Sequence, residues 1–206
     1  MFPLEQTVLP TAAIPLHIFE PRYRELARVV TARAEPELGT VMIERGREVG
    51  GADQRSSIGV VARVVRADEL PDGRWGILAV ATRRIRVEEW LTDDPFPRAM
   101  VTDWPDVDAD TCRSSIGPEA RSALVDAVAR VEAATKRLDP GRPSVTPDLS
   151  GDPALATWHA SVAAGLGPLD SMRLLGEPSA TRRLTDAIEL IREHAELLEA
   201  LADQAG

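Results

Sequence analysis

The chain has 206 residues, of which 44% are hydrophobic and 28% charged, proportions typical of a globular protein that can bury one or two cores. With 24 basic and 33 acidic residues, its net charge of −9 weighs against nonspecific binding to a phosphate backbone. It lacks an apolar run of about 20 residues, and prolines near its start argue against a signal peptide. A single cysteine, Cys112, excludes an internal disulfide, so we expect a cytoplasmic protein.

The opening segment, residues 2–26, is punctuated by prolines. Its apolar runs predict short strands over residues 7–9 and 12–16. Pro21 predicts the start of a helix over residues 21–34, because proline lacks the N–H that would be unpaired at a helix's first position. Helical spacing predicts an inward face made of Tyr23, Leu26, Val29 and Val30.

Short apolar runs separated by turn signals continue to about residue 104. The predicted strands are 39–44, 58–65, 74–80, 83–90 and 95–104. Asp72-Gly73 is expected to reverse the chain, since Asp-Gly favours hairpin turns. We expect the runs 74–80 and 83–90 to pair with each other, with a bulge or strand end at Glu88-Glu89. Six or so short strands around one helix predict a compact barrel or folded sheet.

The apolar period changes from two to 3.6 residues beyond a linker predicted at residues 105–117, which is typical of helices. The predicted helices are 118–138, 153–164, a short one ending at Gly176, and 179–203. The chain therefore divides into a β-rich domain, 1–108, and a helical domain, 114–206. The stripe of the last helix is expected to pack on neighbouring helices, with an intermolecular coiled coil as the alternative.

The order FPL…LP…PLHIFEPRY in the opening resembles the hallmark of the Lon protease N-terminal (substrate-binding) domain family. Residues 70–74 with 83–87, and residues 169–175, extend the resemblance to roughly residues 2–203. Ala81 departs from the pattern, because the family usually has glycine there. The motif residues, for which the resemblance implies a mainly structural role, are Phe2, Pro3, Leu4, Pro15, Leu16, His17, Phe19, Glu20, Arg22 and Tyr23.

The resemblance implies an α+β fold, in which a β-rich PUA-like pseudo-barrel is followed by a C-terminal helical bundle with a long terminal helix. It identifies the chain as a bacterial, stand-alone member without ATPase or peptidase domains. The implied function is a non-enzymatic polypeptide-binding or interaction module, with an adaptor role in proteolysis or protein quality control. Its implied partners are unfolded or partly folded polypeptides, or a protein partner; a homo-oligomer stays open. The alternative is a PUA-like RNA-binding protein, against which the net charge counts.

The residues themselves predict neither an enzyme nor a cofactor. The only lysine, Lys136, follows Ala133-Ala134-Thr135 inside a predicted helix, which excludes a P-loop. The three histidines, His17, His159 and His194, fall on separate predicted elements, so we expect no metal site. We expect His17 to fix the strand–helix corner through a hydrogen bond. Cys112, in the predicted linker, is a candidate exposed thiol.

A protein that captures unfolded polypeptide needs an exposed apolar groove or an unpaired sheet edge. The candidate binding surface is Trp75, Trp90, Phe96, Trp104, Arg84 and Arg86, all in the β-rich half. The aromatic residues could equally fill its core. Arg84 and Arg86 are predicted to point outward from one strand, where they would meet carboxylate groups or only solvent.

Overall fold

A computed structural model describes residues 1–45, 54–115, 117–144, 146–149 and 151–205, apart from the side chains of residues 113–115. It divides into two compact units, Met1–Pro105 and Asp106–Gly206. In the described parts of the chain, the first unit holds six strands and one helix and the second holds five helices. The predicted α+β class is confirmed.

The first unit is built on one six-stranded sheet. Its elements are β1 (Phe2–Leu4), β2 (Ala13–Ile18), α1 (Pro21–Thr31), β3 (Glu37–Arg45), β4 (Gln54–Glu69), β5 (Trp75–Leu91) and β6 (Arg98–Asp103). The strand order is β1-β3-β4-β5-β2, and β6 pairs with β5 beside this path. β1 is parallel to β3, whereas the other ladders are antiparallel.

The long strand β5 is shared by three neighbours. β4 pairs along one side of it from Trp75 to Arg86. The opposite side is divided, because β2 pairs with residues 75–80 and β6 with residues 85–91. A register shift between Val87 and Glu89 forms the expected bulge. β2 and β6 are therefore two separate edge strands on one side of β5.

Three predicted strands differ from the structure. Residues 7–9 form no ladder, and the first strand is instead β1. The runs 74–80 and 83–90 are not a hairpin but parts of β5, which is 17 residues long. The prediction was wrong because Ala81 and Thr82, between the runs, are not turn formers, and a β-branched threonine favours a continuing strand.

The core of this unit is apolar on the inner faces of the strands and on one face of α1. In β2 the buried residues alternate strictly, as Ile14, Leu16 and Ile18. The buried residues of α1 are Tyr23, Leu26, Ala27 and Val30. Val29 was predicted to face inward but is exposed. The spacing i, i+3, i+4, i+7 from Tyr23 selects Ala27 and excludes Val29.

The turn before β2 carries backbone strain. The Ala12 N–H donates to the Leu9 carbonyl at 3.1 Å, which closes a four-residue turn with Pro10 and Thr11 at its centre. Thr11 has a φ of 74°, in the left-handed region that disfavours β-branched residues. Its N–H donates to the Ala81 carbonyl at 2.8 Å, so this turn aligns β2 with β5.

The second unit is a bundle of helices. They are α2 (Ala109–Ser115), α3 (Pro118–Leu138), α4 (Pro153–Ala164), α5 (Pro168–Gly176) and α6 (Ala180–Ala205). Ion pairs Arg130–Glu199 and Arg137–Asp203 show that α3 and α6 run in the same direction. Residues 109–115, assigned to a linker from the sequence, form α2, and Cys112 is buried rather than exposed.

The start of α6 is capped by an aspartate from before α2. Asp108 Oδ1 accepts a hydrogen bond from the Ala180 N–H at 2.6 Å, and Oδ2 accepts one from the Ser179 hydroxyl at 2.7 Å. The Thr181 N–H also donates to Oδ2, at 3.3 Å. Since the first N–H groups of a helix have no partner within it, this carboxylate stabilises the start of the longest helix.

Candidate functional site

A pocket of about 50 Å³ opens in the first unit between β1 and β2, the first and last strands of its sheet order. The lining residues are Phe2, Pro3, His17, Ile18, Phe19, Glu20 and Tyr23. We call it the seam pocket, because it lies where the two ends of the curled sheet meet. A cavity needs a volume of roughly 10–15 Å³ to hold one water molecule. The seam pocket, at about 50 Å³, therefore has room for one small chemical group.

The corner between β2 and α1 shapes the mouth of this pocket. Glu20 is extended, with φ −66° and ψ 136°, and Pro21 opens the helix. The N–H groups of Tyr23 and Arg24 both donate to the Glu20 carbonyl, at 3.0 and 2.9 Å. The chain therefore turns sharply after Phe19, whose side chain is left 55% exposed.

Aromatic rings form part of the wall of the seam pocket, and an ion pair lies at its rim. The rings of Phe2 and Tyr23 are both buried, with centroids 4.5 Å apart. Arg22 places its guanidinium carbon 4.5 Å from the centre of the Tyr23 ring, and its Nε lies 3.2 Å from the Glu20 carboxylate. The arrangement favours contact with an uncharged, apolar group.

His17 does not hold the corner as predicted. Its side chain is exposed, and the part of the chain that the structure describes offers its ring no hydrogen-bond partner. The corner is held by the Glu20 carbonyl and by Pro21 instead. Across the ladder from His17 is Gly76, where an added Cβ would meet nothing within 4 Å. His17 therefore faces open space beside the seam pocket.

The four predicted surface aromatics do not form one patch. Each is half-buried. Trp75 begins β5, opposite Ile18, whereas Trp90 lies near the other end of that strand. Phe96 and Trp104 flank β6. The structure thus brings three of the four aromatics to the β5–β6 hairpin and leaves Trp75 apart; their role in binding stays a prediction.

Arginines cover two of the aromatic rings of this hairpin, those of Trp104 and Trp90. The guanidinium carbons of Arg84 and Arg86 lie 4.6 and 4.3 Å from the centre of the Trp104 ring. Arg86 is exposed as predicted, but Arg84 is only 5% exposed and does not point into solvent. The Trp104 N–H donates to the Arg84 carbonyl at 2.9 Å, which sets the indole beside that side chain. Arg55 similarly covers Trp90, at 4.9 Å.

Two other reactive side chains, those of Cys112 and His194, belong to the helical unit. Burial raises the pKa of the Cys112 thiol, so little thiolate forms near neutral pH. Burial also lowers the pKa of His194. Within the described ranges, no three histidine, cysteine, aspartate or glutamate side chains gather in a way that could hold a metal ion. None of the helices described is both long and apolar enough to cross a membrane.

Six of the seven residues that line the seam pocket belong to the opening motif, for which a structural role was expected. Ile18 is the seventh, and neither its place in the lining nor the pocket itself was predicted. The available signal was local: alternation in β2 buries residues 14, 16 and 18, and the corner then leaves the large apolar Phe19 without a core position. The proximity of β1 to β2 could not be predicted from the spacing of residues along the chain.

Comparison with known proteins gives a consistent match. A family model described as the ATP-dependent protease La (LON) substrate-binding domain matches residues 1–193. Lon protease 2 of Herpetosiphon aurantiacus is 31% identical over 104 residues, which are 49% of this chain and 12% of that protein. Lon protease of Cytophaga hutchinsonii is 28% identical over 152 residues, 69% of this chain and 17% of that protein. The matched region is thus under a fifth of either relative.

Two solved structures share the fold. One is the Lon N-terminal domain protein from Xanthomonas campestris, with a TM-score of 0.65 and 24% identity, covering 91% of this chain and 95% of that one. The other is the N-terminal domain of Mycobacterium avium complex Lon protease, with a TM-score of 0.59 and 17% identity, covering 93% and 97%. The predicted fold, a β-rich pseudo-barrel followed by a helical bundle, is confirmed.

Proposed function

The chain belongs to the family of the ATP-dependent protease La (LON) substrate-binding domain, and from that membership we propose that it binds unfolded or partly folded polypeptides. It does so without catalysis of its own, as an adaptor that presents captured chains to a protease. The seam pocket is the site that we propose for a side chain of the bound polypeptide.

The observation that supports this proposal most directly is Phe19. A large aromatic side chain that is 55% exposed stands at the mouth of a pocket walled by Phe2 and Tyr23. An exposed aromatic next to a hollow that is partly lined by aromatic rings is a common feature of binding surfaces. Covering the exposed part of Phe19 with an apolar partner contributes roughly 1 kcal/mol to binding.

The size of the pocket favours a side chain over a small-molecule ligand. Pockets that bind cofactors and drug-sized ligands usually measure about 300–1,000 Å³, whereas the seam pocket has a volume of about 50 Å³. The Glu20–Arg22 ion pair leaves the rim without net charge. An uncharged apolar residue from an extended chain fits both properties.

Binding to a permanently unfolded polypeptide tests the proposal. The probe is fluorescein-labelled, reduced and carbamidomethylated lysozyme, a basic chain that cannot refold, titrated with the full chain and followed by fluorescence anisotropy. We expect Phe19→Ala to weaken binding about fivefold, which corresponds to roughly 1 kcal/mol. The matched control is Val29→Ala, which removes an exposed apolar side chain of α1 that does not line the pocket and should leave the affinity unchanged.

The outcomes separate the function from its site. If the unaltered chain does not bind the probe at any salt concentration, the proposal that it binds polypeptides is wrong. If it binds the probe but Phe19→Ala binds equally well, the seam pocket is not the site. Binding to a structured RNA with a steep salt dependence would instead favour the RNA-binding alternative.

A further inference from the structure

Strand β6 is exposed to an unusual extent. Five of its six residues are exposed and Ala99 is half-buried, so neither face of the strand is covered. Among the residues that the structure describes, β6 pairs with β5 along one edge and with no strand along the other. A strand with two open faces and an unpaired edge resembles a template for a further strand.

The hydrogen-bond pattern shows which backbone groups of β6 point away from β5. The Trp104 N–H donates to the Arg84 carbonyl, so residue 104 turns its backbone groups toward β5. Since these directions alternate along an antiparallel strand, the outward groups belong to Ala99, Val101 and Asp103. The bulge does not alter this, because its extra residue lies in β5 and β6 runs without interruption.

The other edge strand on this side of β5 is blocked at its centre. The Ala81 N–H donates to the Ala12 carbonyl, and alternation from that point turns the backbone of Pro15 outward. Proline has no N–H to donate, so the edge of β2 cannot form a continuous ladder with another strand. β6 contains no proline, and each of its three outward residues offers both a donor and an acceptor.

We propose that the outer edge of β6 takes up an extended polypeptide segment as an additional β-strand. This inference rests on the proposed function and assigns it a second contact, in which the backbone of the bound polypeptide is recognised. Backbone pairing tolerates many sequences, because every non-proline residue carries the same N–H and C=O groups. That tolerance suits a protein that binds unfolded chains of differing sequence.

The side chains of β6 define the chemistry of the segment that fits. Met100 and Val101, at the centre of the strand, are 57% and 38% exposed, so they favour apolar residues at the centre of the incoming strand. Exposed charges of both signs flank the strand, with Arg98 on β6 and Arg86, Glu88 and Glu89 on the adjoining part of β5. The bound segment is therefore apolar at its centre, and the net charge of −9 on the whole chain disfavours a strongly acidic one.

A second copy of this chain fits the same edge less well. Two copies would each bring a net charge of −9, and their mutual repulsion opposes association. Stable protein interfaces bury about 1,200–2,000 Å² in total. A dimer contact limited to the six residues of β6 would bury too little surface to reach that area. A flexible polypeptide can continue beyond the strand and add contacts elsewhere.

Val101→Pro tests strand addition directly. The substitution removes one outward N–H and leaves the inward ladder to β5 in place, whereas Val101→Ala trims the same side chain and keeps the N–H. We expect Val101→Pro to weaken binding of the labelled lysozyme probe about tenfold, and Val101→Ala less than about threefold. Equal affinities of the two variants would overturn the proposal.

Two further measurements keep the test decisive. Should Val101→Pro fail to fold, amide hydrogen exchange of the unaltered chain replaces it: the probe should slow exchange at Val101 and Asp103, and unchanged exchange there would overturn strand addition. If sedimentation equilibrium shows a dimer that Val101→Pro dissociates, β6 pairs with itself and the proposal is wrong. Polypeptide binding itself survives if Val101→Pro binds normally while Phe19→Ala does not.

Discussion

The guanidinium of Arg183 and the carboxylate of Asp106 form a bidentate ion pair in the helical unit. Nη1 donates to Oδ1 at 2.6 Å and Nη2 donates to Oδ2 at 2.7 Å. Arg183 is completely buried, and its guanidinium carbon lies 4.1 Å from the centre of the Trp158 ring. Its Nη1 also donates to the Glu177 carbonyl at 3.3 Å. The segment before α2 is thus joined to α6 by a buried charge and its partner.

Removing one partner of this pair should be costly, because the other charge is then buried alone. We expect Asp106→Ala to lower the free energy of unfolding by about 3–5 kcal/mol, measured by urea denaturation. Asp203→Ala, which removes an exposed partner of Arg137, is the control and should cost less than about 1 kcal/mol. The double variant Asp106→Ala/Arg183→Met should recover part of the loss, and no recovery would contradict this account.

The cap on α6 predicts a loss of stability in acid. Burial alone raises the pKa of Asp108, but hydrogen bonds from Ser179, Thr181 and Ala180 outweigh it and bring the pKa to about 2. Because the folded pKa lies below the ordinary value of 3.8, the contribution of Asp108 is complete above pH 3.8 and is lost as the pH falls toward 2.

Asp108→Asn should therefore reduce the free energy of unfolding by about 1 kcal/mol at pH 6, and by progressively less below pH 3.8. Denaturant titrations between pH 2 and pH 6 measure this difference. Asp126→Asn, at an exposed position of α3, is the control and should change stability by less than about 0.5 kcal/mol. A difference for Asp108→Asn that stays constant with pH would show that ionisation of Asp108 does not stabilise the fold.

The strained turn before β2 predicts a stabilising substitution. Thr11 has a φ of 74°, and its hydroxyl is buried without a hydrogen-bond partner within the described residues. Asparagine adopts the left-handed region more readily than a β-branched residue. We expect Thr11→Asn to raise the free energy of unfolding by about 1 kcal/mol in thermal and urea denaturation. Thr92→Asn, at an exposed position with ordinary φ, should have no such effect.

Two glycines of the first unit predict opposite responses to alanine. A Cβ at Gly59 would collide with the Thr40 carbonyl oxygen and lie 2.7 Å from Val41 Cγ1, whereas one at Gly76 would meet nothing within 4 Å. Gly59→Ala should therefore cost about 1–3 kcal/mol. Gly76→Ala should be neutral or stabilise the fold by up to about 1 kcal/mol. Similar melting temperatures for the two variants would contradict the close approach of the β3 backbone to Gly59 of β4.

Helices were predicted better than strands. The bounds of α3 were correct at both ends, since Pro118 marks its start and Asp139-Pro140 its end. In contrast, the continuity of β5 depends on β4, which pairs with it from Trp75 to Arg86 across the interruption, and this pairing is a long-range property. Local spacing divided β5 into two strands because the run of strand-forming residues is interrupted at Ala81-Thr82, although these two residues do not favour a turn.

The candidate site shows the same limit. The opening motif was recognised, and it supplies most of the seam pocket, but its residues enclose a cavity only because β1 and β2 end the sheet order on either side of it. Which backbone groups of β6 are free to bind another strand likewise depends on the register of β6 against β5, which local sequence does not determine. Alternating exposure suggested that Arg84 and Arg86 both face solvent, whereas the structure buries Arg84 and leaves Arg86 exposed, although both guanidinium groups lie over the Trp104 ring.

The common direction of α3 and α6 has a consequence for how the helical unit assembles. Arg130 and Glu199 are separated by 69 positions in the chain, so these two helices cannot meet as a simple helical hairpin. The intervening α4 and α5 must be synthesised, and the chain must return to its starting end, before the main interface can close. We infer that this unit completes its tertiary structure late, only after α6 has been synthesised.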